Sequence, residues 1–284
     1  MFVKNYKPPR SVLTLIILGI WLSLVDILEA GDGSRRQYHE FRKHRHTIAS
    51  DAIRDMAREA IGINYNLIGW DTLKVFIAAF PFFIGARMID EDLQSCFYDR
   101  EHHKNLCQFP KWCHDVSNWI ISVPIGIIAL HTLFTQDYEY CETNKTFLIG
   151  VIFVVSGKVL LKKLDFDFCL RPWHERFSRV KRASGGFPSG HMAEVTYITL
   201  LYGLRYGPKF AVPFGLLALG VGATFLNCNR HYLSQLIGGA AFGAMYAFAA
   251  YHFIDSKLAK KFPCTCSLSV NEHGAPAISI EYSF

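Results

Sequence analysis

Two histidines in the second half of the chain stand in surroundings suited to phosphate chemistry. His191 ends the segment Gly-Gly-Phe-Pro-Ser-Gly-His, in which glycine and proline place backbone amides at the start of a predicted helix. His231 ends the later segment Asn-Cys-Asn-Arg-His. An imidazole can act as a nucleophile or as a general acid and base, and helix N-termini attract anions. The two segments therefore predict a site for an anionic substrate.

The loop before His191 is rich in basic residues. They are Lys162, Lys163, Arg171, Arg176, Arg179, Lys181 and Arg182. Charge alone favours an ordinary cytoplasmic loop beside a membrane helix, because such loops carry an excess of lysine and arginine. The glycine-rich segment and the histidine that follow favour phosphate binding instead. The guanidinium fork of arginine fits phosphate oxygens well.

Apolar blocks separate and flank these segments. They lie at 12–28, 73–88, 116–134, 146–161, 192–204, 211–226 and 236–254. Each is near the ~17–25 residues that cross the hydrocarbon core as a helix. Because lipid cannot hydrogen-bond to the backbone, such blocks must be helical. We therefore predict an all-α, multi-pass transmembrane helix bundle with six core spans, or seven if the N-terminal block also crosses.

The predicted topology brings the two histidines together. The segments that contain His191 and His231 are separated by two predicted spans, 192–204 and 211–226. Two spans return the chain to the membrane face that it left, so both imidazoles lie at the same depth. One intramembrane histidine is usually a satisfied core residue. Two of them at one face, beside an arginine-rich loop, favour a reaction site.

The two ends of the chain differ from this core. Residues 1–30 are predicted to be an N-terminal hydrophobic helix or a signal-like segment, and 31–69 to be polar with one amphipathic helix. Residues 70–256 form the predicted membrane core. The tail, 257–284, alternates apolar and polar residues, which predicts a small β-hairpin outside the membrane.

The charge of the chain favours a phosphate or headgroup partner. The formal net charge is +6 and 51% of the residues are hydrophobic. A positive charge could indicate nucleic acid, but the basic residues cluster beside the apolar blocks. A lipid headgroup therefore fits better, and no nucleic acid partner is expected.

The order of these segments resembles the type 2 phosphatidic acid phosphatase superfamily, which includes lipid phosphate phosphatases, bacterial lipid A phosphatases, glucose-6-phosphatase and vanadium haloperoxidases. The three family motifs are Lys, six residues, Arg-Pro; then Pro-Ser-Gly-His; then Ser-Arg, five residues, His, three residues, Asp. The second motif is complete at 188–191. Arg171-Pro172 and His231 belong to the first and third motifs. The resemblance covers about 70–254.

The resemblance implies a phosphoric monoester hydrolase of the membrane that acts on a phosphorylated lipid without metal or cofactor. His231 would attack phosphorus and form a phosphohistidine, while His191 would protonate the leaving group. Gln235, four residues after His231, would accept the proton on the other imidazole nitrogen. The residues expected to bind phosphate are Lys163, Arg171, Ser189, Gly190 and Arg230.

Three positions depart from the family motifs. Lys163 stands eight residues before Arg171 instead of seven, Phe225 occupies the arginine position of the third motif, and Gln235 replaces its aspartate. Glucose-6-phosphatases resemble this chain in tolerating Gln there. In the serine-protease triad, the change from acid to amide costs about 10⁴ in rate. Two other hypotheses therefore stay open: a catalytically silent protein that binds an anionic lipid or a partner, and a phosphoryl or headgroup transferase.

The predicted location is an integral membrane protein of a bacterial inner membrane or an ER-type membrane. Six spans would place the catalytic loop outside, whereas seven spans that start inside would place it in the cytoplasm. The loop charges nearly tie between the two topologies. The resemblance implies an extracytoplasmic or lumenal site.

Overall fold

The computed structural model describes residues 49–99, 101–102, 104–106, 111–135, 137–164, 166–172, 184–261, 264–270 and 276–282. Within these ranges the chain is mostly helical. The α-helices are α1 Ala49–Leu67, α2 Trp70–Ser95, α3 Lys111–Phe134, α4 Tyr138–Leu161, α5 Gly190–Tyr206, α6 Pro208–Asn227 and α7 Leu233–Lys261. A 3₁₀ turn at Asp167–Cys169 follows α4. The N-terminal block, 12–28, lies outside the described residues.

Two short antiparallel strand pairs complete the described structure. β1 Tyr98–Asp99 pairs with β2 Lys104–Asn105 after the end of α2. In the tail, β3 Cys264–Val270 pairs with β4 Pro276–Tyr282, with Cys264 opposite Tyr282. Alternation of apolar and polar residues suits such strands, because successive side chains point to opposite faces.

Four helices among the described residues are long and apolar enough to cross a membrane. They are Trp70–Ser95, Tyr138–Leu161, Pro208–Asn227 and the Leu233–Ala259 part of α7. These four coincide with predicted apolar blocks. In α3 only a shorter stretch, Ile121–Thr132, is comparably apolar. The chain therefore has the character of a membrane protein, and the number of spans stays a prediction.

Helix α5 differs from the predicted lipid-facing span because it lies inside the bundle. It has 17 residues and packs against α4, α6 and α7. Val195, Tyr197, Ile198 and Leu201 are all fully buried. Protein side chains, and not lipid, therefore surround much of the helix that begins next to His191.

Helices α5 and α7 touch through their backbones. A Cβ atom added at Gly239 would lie 2.4 Å from the Ser189 carbonyl oxygen, and one at Gly243 would lie 2.1 Å from the Ala193 carbonyl oxygen. Residues four apart share one face of a helix, and such small-residue pairs allow close helix packing in membranes. This contact holds the N-terminal ends of α5 and α7 side by side.

The amphipathic helix predicted within 31–69, with Met56 and Ile61 among its apolar positions, corresponds to α1, and it packs on the bundle with another face. Glu59 and Ile63 are buried, whereas Met56 and Ile61 are 54% and 70% exposed. The reason is electrostatic, because Glu59 pairs with Lys257 at 2.7 Å, as well as with a lysine of α4. A carboxylate that pairs with cations can be buried. Burial of Glu59 leaves the apolar side chains on the other face of α1 exposed.

Candidate active site

The two histidines lie where three chain segments meet. His191 is in the first turn of α5, His231 lies in the loop between α6 and α7, and Arg171 follows the 3₁₀ turn after α4. The His231 ring is 4% exposed, and His191 is half-buried. The site is thus assembled at the C-terminal ends of α4 and α6 and the N-terminal ends of α5 and α7.

Phe225 contacts both imidazoles. Its ring centre is 5.1 Å from that of His191 and 5.5 Å from that of His231. The separation of the two imidazoles therefore cannot exceed the sum of these distances. The structure brings together the pair that the two-span topology predicted to meet. The guanidinium carbon of Arg230 also lies 5.9 Å from the Phe225 ring centre.

Gln235 determines the orientation of the His231 ring. Its Oε1 atom lies 3.3 Å from Nδ1 of His231 and accepts a hydrogen bond from the Tyr232 amide at 3.2 Å. Its Nε2 atom donates to the carbonyl oxygens of Phe168 and Leu170, at 3.0 and 2.7 Å. These partners determine which amide atom is oxygen. Because an amide oxygen only accepts, Nδ1 of His231 carries the hydrogen and Nε2 keeps its lone pair.

A group of cations surrounds His231. Arg171 is half-buried and donates to the Gly185 carbonyl at 3.4 Å. Burial and the positive charge of Arg230 lower the pKa of Arg171. Burial and the charge of Arg171 likewise lower the pKa of Lys162. These mutually repelling charges indicate a site that an anion would stabilise.

The same surroundings keep His231 neutral. Burial, followed by the positive charges of Arg171 and Lys162, lowers the pKa of His231 to about 3. An uncompensated cation is disfavoured both by burial and by neighbouring cations. At neutral pH the ring therefore holds an unprotonated nitrogen.

Lys162, and not Lys163, lies within reach of this group. Lys163 is exposed, whereas Lys162 is half-buried and would touch a methyl group added at Gly185. Consecutive residues at a helix end point about 100° apart, so the two lysines leave α4 in different directions. The sequence favoured Lys163 because it is nearer to the family spacing.

The Ser189 amide is placed differently from the expectation that it faces phosphate. The Ser189 amide donates to the Gln235 carbonyl at 3.1 Å, so it is already used. The Ser189 Oγ atom is buried and has no hydrogen-bond partner among the residues that the structure describes. Such an atom at the start of a helix can donate to an anion.

Lys158 is a site residue that the sequence analysis did not identify. A Cβ atom added at Gly190 would lie 2.8 Å from its Cδ atom, so the lysine covers the first turn of α5. Its ammonium group pairs with Glu194. The four-residue spacing from Lys158 to Lys162 on one helix could have indicated the shared face.

The described residues contain no group of three or more His, Cys, Asp or Glu side chains that could hold a metal ion.

Comparison with known proteins locates this site in a recognised family. A profile of the PAP2 superfamily matches residues 130–258. A search among curated proteins found no match. Among solved structures, the chain is similar to a transmembrane PAP2-type phosphatidylglycerolphosphate phosphatase from Bacillus subtilis, with 19% identity over 65% of this chain and 96% of that chain, and a TM-score of 0.41.

The profile match covers all the predicted site residues. Arg171, the Pro-Ser-Gly-His motif, His231 and Gln235 all lie within the matched range. The match confirms the resemblance stated from these motifs. Residues 130–258 of the chain, which contain both histidines, therefore match the PAP2 superfamily.

Proposed function

We propose that the protein is a multi-pass membrane phosphatase that hydrolyses the phosphate monoester of a lipid through a phosphohistidine. One observation carries the proposal: His191 and His231 contact the same phenyl ring, and the charges of Arg171 and Lys162 act on His231. The match to the PAP2 superfamily supports the reaction class. The site lies at the ends of helices, which is where the headgroup of a membrane lipid would lie. This position supports a phosphorylated lipid as the substrate.

In the first step, the lone pair of His231 Nε2 attacks phosphorus in line with the leaving oxygen. A nitrogen–phosphorus bond forms as the phosphorus–oxygen bond to the lipid breaks. His191 gives its proton to the departing alkoxide. The low pKa of His231 favours this step, because no proton has to be removed from the nucleophile.

In the second step, water attacks the phosphohistidine and releases phosphate. His191, now neutral, takes a proton from the water as its oxygen bonds to phosphorus. The nitrogen–phosphorus bond breaks, and the electron pair returns to Nε2 of His231. Throughout, Gln235 holds the Nδ1 hydrogen and keeps the ring in one orientation.

Charge neutralisation would come from residues of this chain. Lys162 and Arg171 offset the phosphate charge, and the Ser189 hydroxyl donates a hydrogen bond. Arg230 supplies a guanidinium near the position where Phe225 replaces the family arginine. We propose that no metal is needed and that the site faces the outside or the lumen.

The proposal is tested with the full chain purified in detergent. Phosphate release is measured from phosphatidic acid, a lipid A-like substrate and a soluble sugar phosphate, with His231→Ala as the control. We expect release from a lipid substrate that persists in the presence of a chelator. Release no faster than that of His231→Ala from every substrate would favour an anionic-lipid binding protein instead.

The roles of the two histidines are separated with p-nitrophenyl phosphate, whose leaving group departs without a proton. In His191→Ala the first step should then proceed while the second, which needs the base, is slow. An acid-labile, alkali-stable phosphoenzyme should accumulate in this variant and not in the double variant that also carries His231→Ala. A phosphoenzyme that forms without His231 would contradict the mechanism.

A further inference from the structure

The C-terminal half of α2 presents a polar face to the site, although α2 lies outside the family match. Arg87, Asp90, Glu91 and Gln94 are spaced three, four and seven residues apart, so they share one side of the helix. Asp90 and Gln94 are 1% and 3% exposed. The intervening Met88 is 80% exposed. The part of this polar face formed by Asp90 and Gln94 is therefore turned inward, whereas Glu91 lies at its exposed edge.

Gln94 holds the start of the loop that contains His231. Its Nε2 atom donates to the Asn229 Oδ1 atom at 2.7 Å and to the Leu226 carbonyl at 3.1 Å. Asn229 is 1% exposed and has a φ of 51°. Asparagine tolerates this left-handed conformation better than most residues, and a hydrogen bond to its side chain stabilises the turn.

Asp90 holds the other end of the same loop. Its Oδ1 atom accepts a hydrogen bond from the Ser234 amide at 3.0 Å, and its Oδ2 atom accepts one from the Ser234 hydroxyl. Ser234 is in the first turn of α7, one residue before Gln235. A carboxylate at a helix N-terminus satisfies an unpaired amide and interacts favourably with the helix dipole. Asp90 thus acts as a cap supplied by another helix.

Arg87 connects this cap to the loop that carries Arg171. It pairs with Asp90 at 3.6 Å and also with Asp167 in the 3₁₀ turn. The adjacent Phe168 carbonyl accepts the hydrogen bond from Gln235. The polar face of α2 therefore touches both segments that surround the His231 ring.

We infer that Asp90 is a positioning residue for the nucleophile His231. It fixes the first turn of α7, and hence Gln235, whose amide orients the imidazole. In-line attack depends on the placement of Nε2, and a displacement of about 1 Å can lower the rate by on the order of 100-fold. Asp90 pairs with Arg87, which is not among the residues proposed to bind phosphate. This inference rests on the proposed phosphatase activity.

The test uses the purified full chain and p-nitrophenyl phosphate. Asp90→Ala should lower kcat by on the order of 100-fold. The KM and the inhibition constant of inorganic phosphate should stay within about twofold, because the phosphate-binding cations are intact. Asp90→Asn keeps an acceptor for the Ser234 amide and should recover most of the rate. Asp92→Ala, at an exposed position on the same helix, is the matched control.

Ser234→Ala provides a second variant should Asp90→Ala fold poorly. It removes only the hydroxyl hydrogen bond, so its kcat should be intermediate. It should be lower than the kcat of the unaltered chain and of Asp92→Ala, and higher than that of Asp90→Ala. Equal kcat values for the Asp90, Ser234 and Asp92 variants would overturn the inference. So would a loss confined to KM and thermal stability. An inactive unaltered chain would instead overturn the proposed function, and the inference with it.

Discussion

Gln235 uses all the hydrogen-bonding groups of its side chain within the site. The amide oxygen serves His231 and the Tyr232 amide, while the nitrogen serves two backbone carbonyls. An aspartate or glutamate could not donate to those carbonyls. The amide is therefore more than a weakened version of the family carboxylate, because it also ties the segment before Arg171 to the helix after His231.

The first prediction concerns Gln235→Glu. The carboxylate would face the Phe168 and Leu170 carbonyls, and each buried group left unsatisfied costs about 1–3 kcal/mol. We expect a lower thermal unfolding midpoint and a lower kcat, measured in detergent. Gln235→Met, which loses the hydrogen bonds without adding charge, should lose less stability. A faster Gln235→Glu enzyme with an unchanged midpoint would mean that the missing charge is what limits the reaction.

At the scale of single residues, the sequence predicted those site residues that lie in short motifs. His191, His231, Arg171 and Gln235 are identified by local spacing, and the structure places them together. For the lysine, the sequence favoured Lys163 over Lys162. That choice depends on where α4 ends and on how the following turn is wound, and neither is encoded in the motif spacing.

At the scale of elements, the contact between α5 and α7 determines how closely the two histidine segments approach. Gly239 and Gly243 place α7 directly against the carbonyl oxygens of α5. Their spacing, glycine with three residues between, is visible in the sequence, and it could have indicated this packing. The apolar blocks did predict helices. They did not reveal that α5 is buried, because periodicity alone does not separate a lipid-facing helix from a central one.

The second prediction is that Gly243→Ala separates these helices. The added methyl group meets a backbone carbonyl, which cannot move aside, and overpacking of this kind costs about 1–3 kcal/mol. Both the unfolding midpoint and kcat should fall, since His191 shifts relative to His231. Gly220→Ala in α6 is the control, because its Cβ atom would meet nothing within 4 Å. Equal effects of the two substitutions would show that the close contact is unimportant.

At the scale of the whole molecule, the charged groups gather at two opposite ends of the bundle. The site occupies the end with Lys158 and Gln235, whereas the other ends of α4 and α7 carry Glu142 and Lys257. There Lys257 pairs with Glu142 and with Glu59 of α1. This long-range pairing and the packing of Ile63 in the core together account for the buried face of α1. A periodicity argument over one helix cannot detect the pairing.

The third prediction is that Lys257→Met lowers stability without altering catalysis. Removal of the cation leaves two buried carboxylates without their main partner, and breaking a buried ion pair costs about 3–5 kcal/mol. The unfolding midpoint should fall, while kcat per folded molecule at low temperature should match that of the unaltered chain. Adding Glu142→Gln should restore part of the midpoint. A change in kcat at an unchanged midpoint would contradict this separation of stability from chemistry.

The backbone contact of α5 with α7 also bears on how the protein responds to its bilayer. Side chains yield to lateral pressure by changing rotamer, but a carbonyl oxygen resting on a glycine has no such freedom. Thinning or stiffening of the lipid would therefore act first on α2 and α6, whose outer faces expose Phe76, Ile77, Leu216 and Leu219. The distance between the first turns of α5 and α7, which carry His191 and Gln235, would change least.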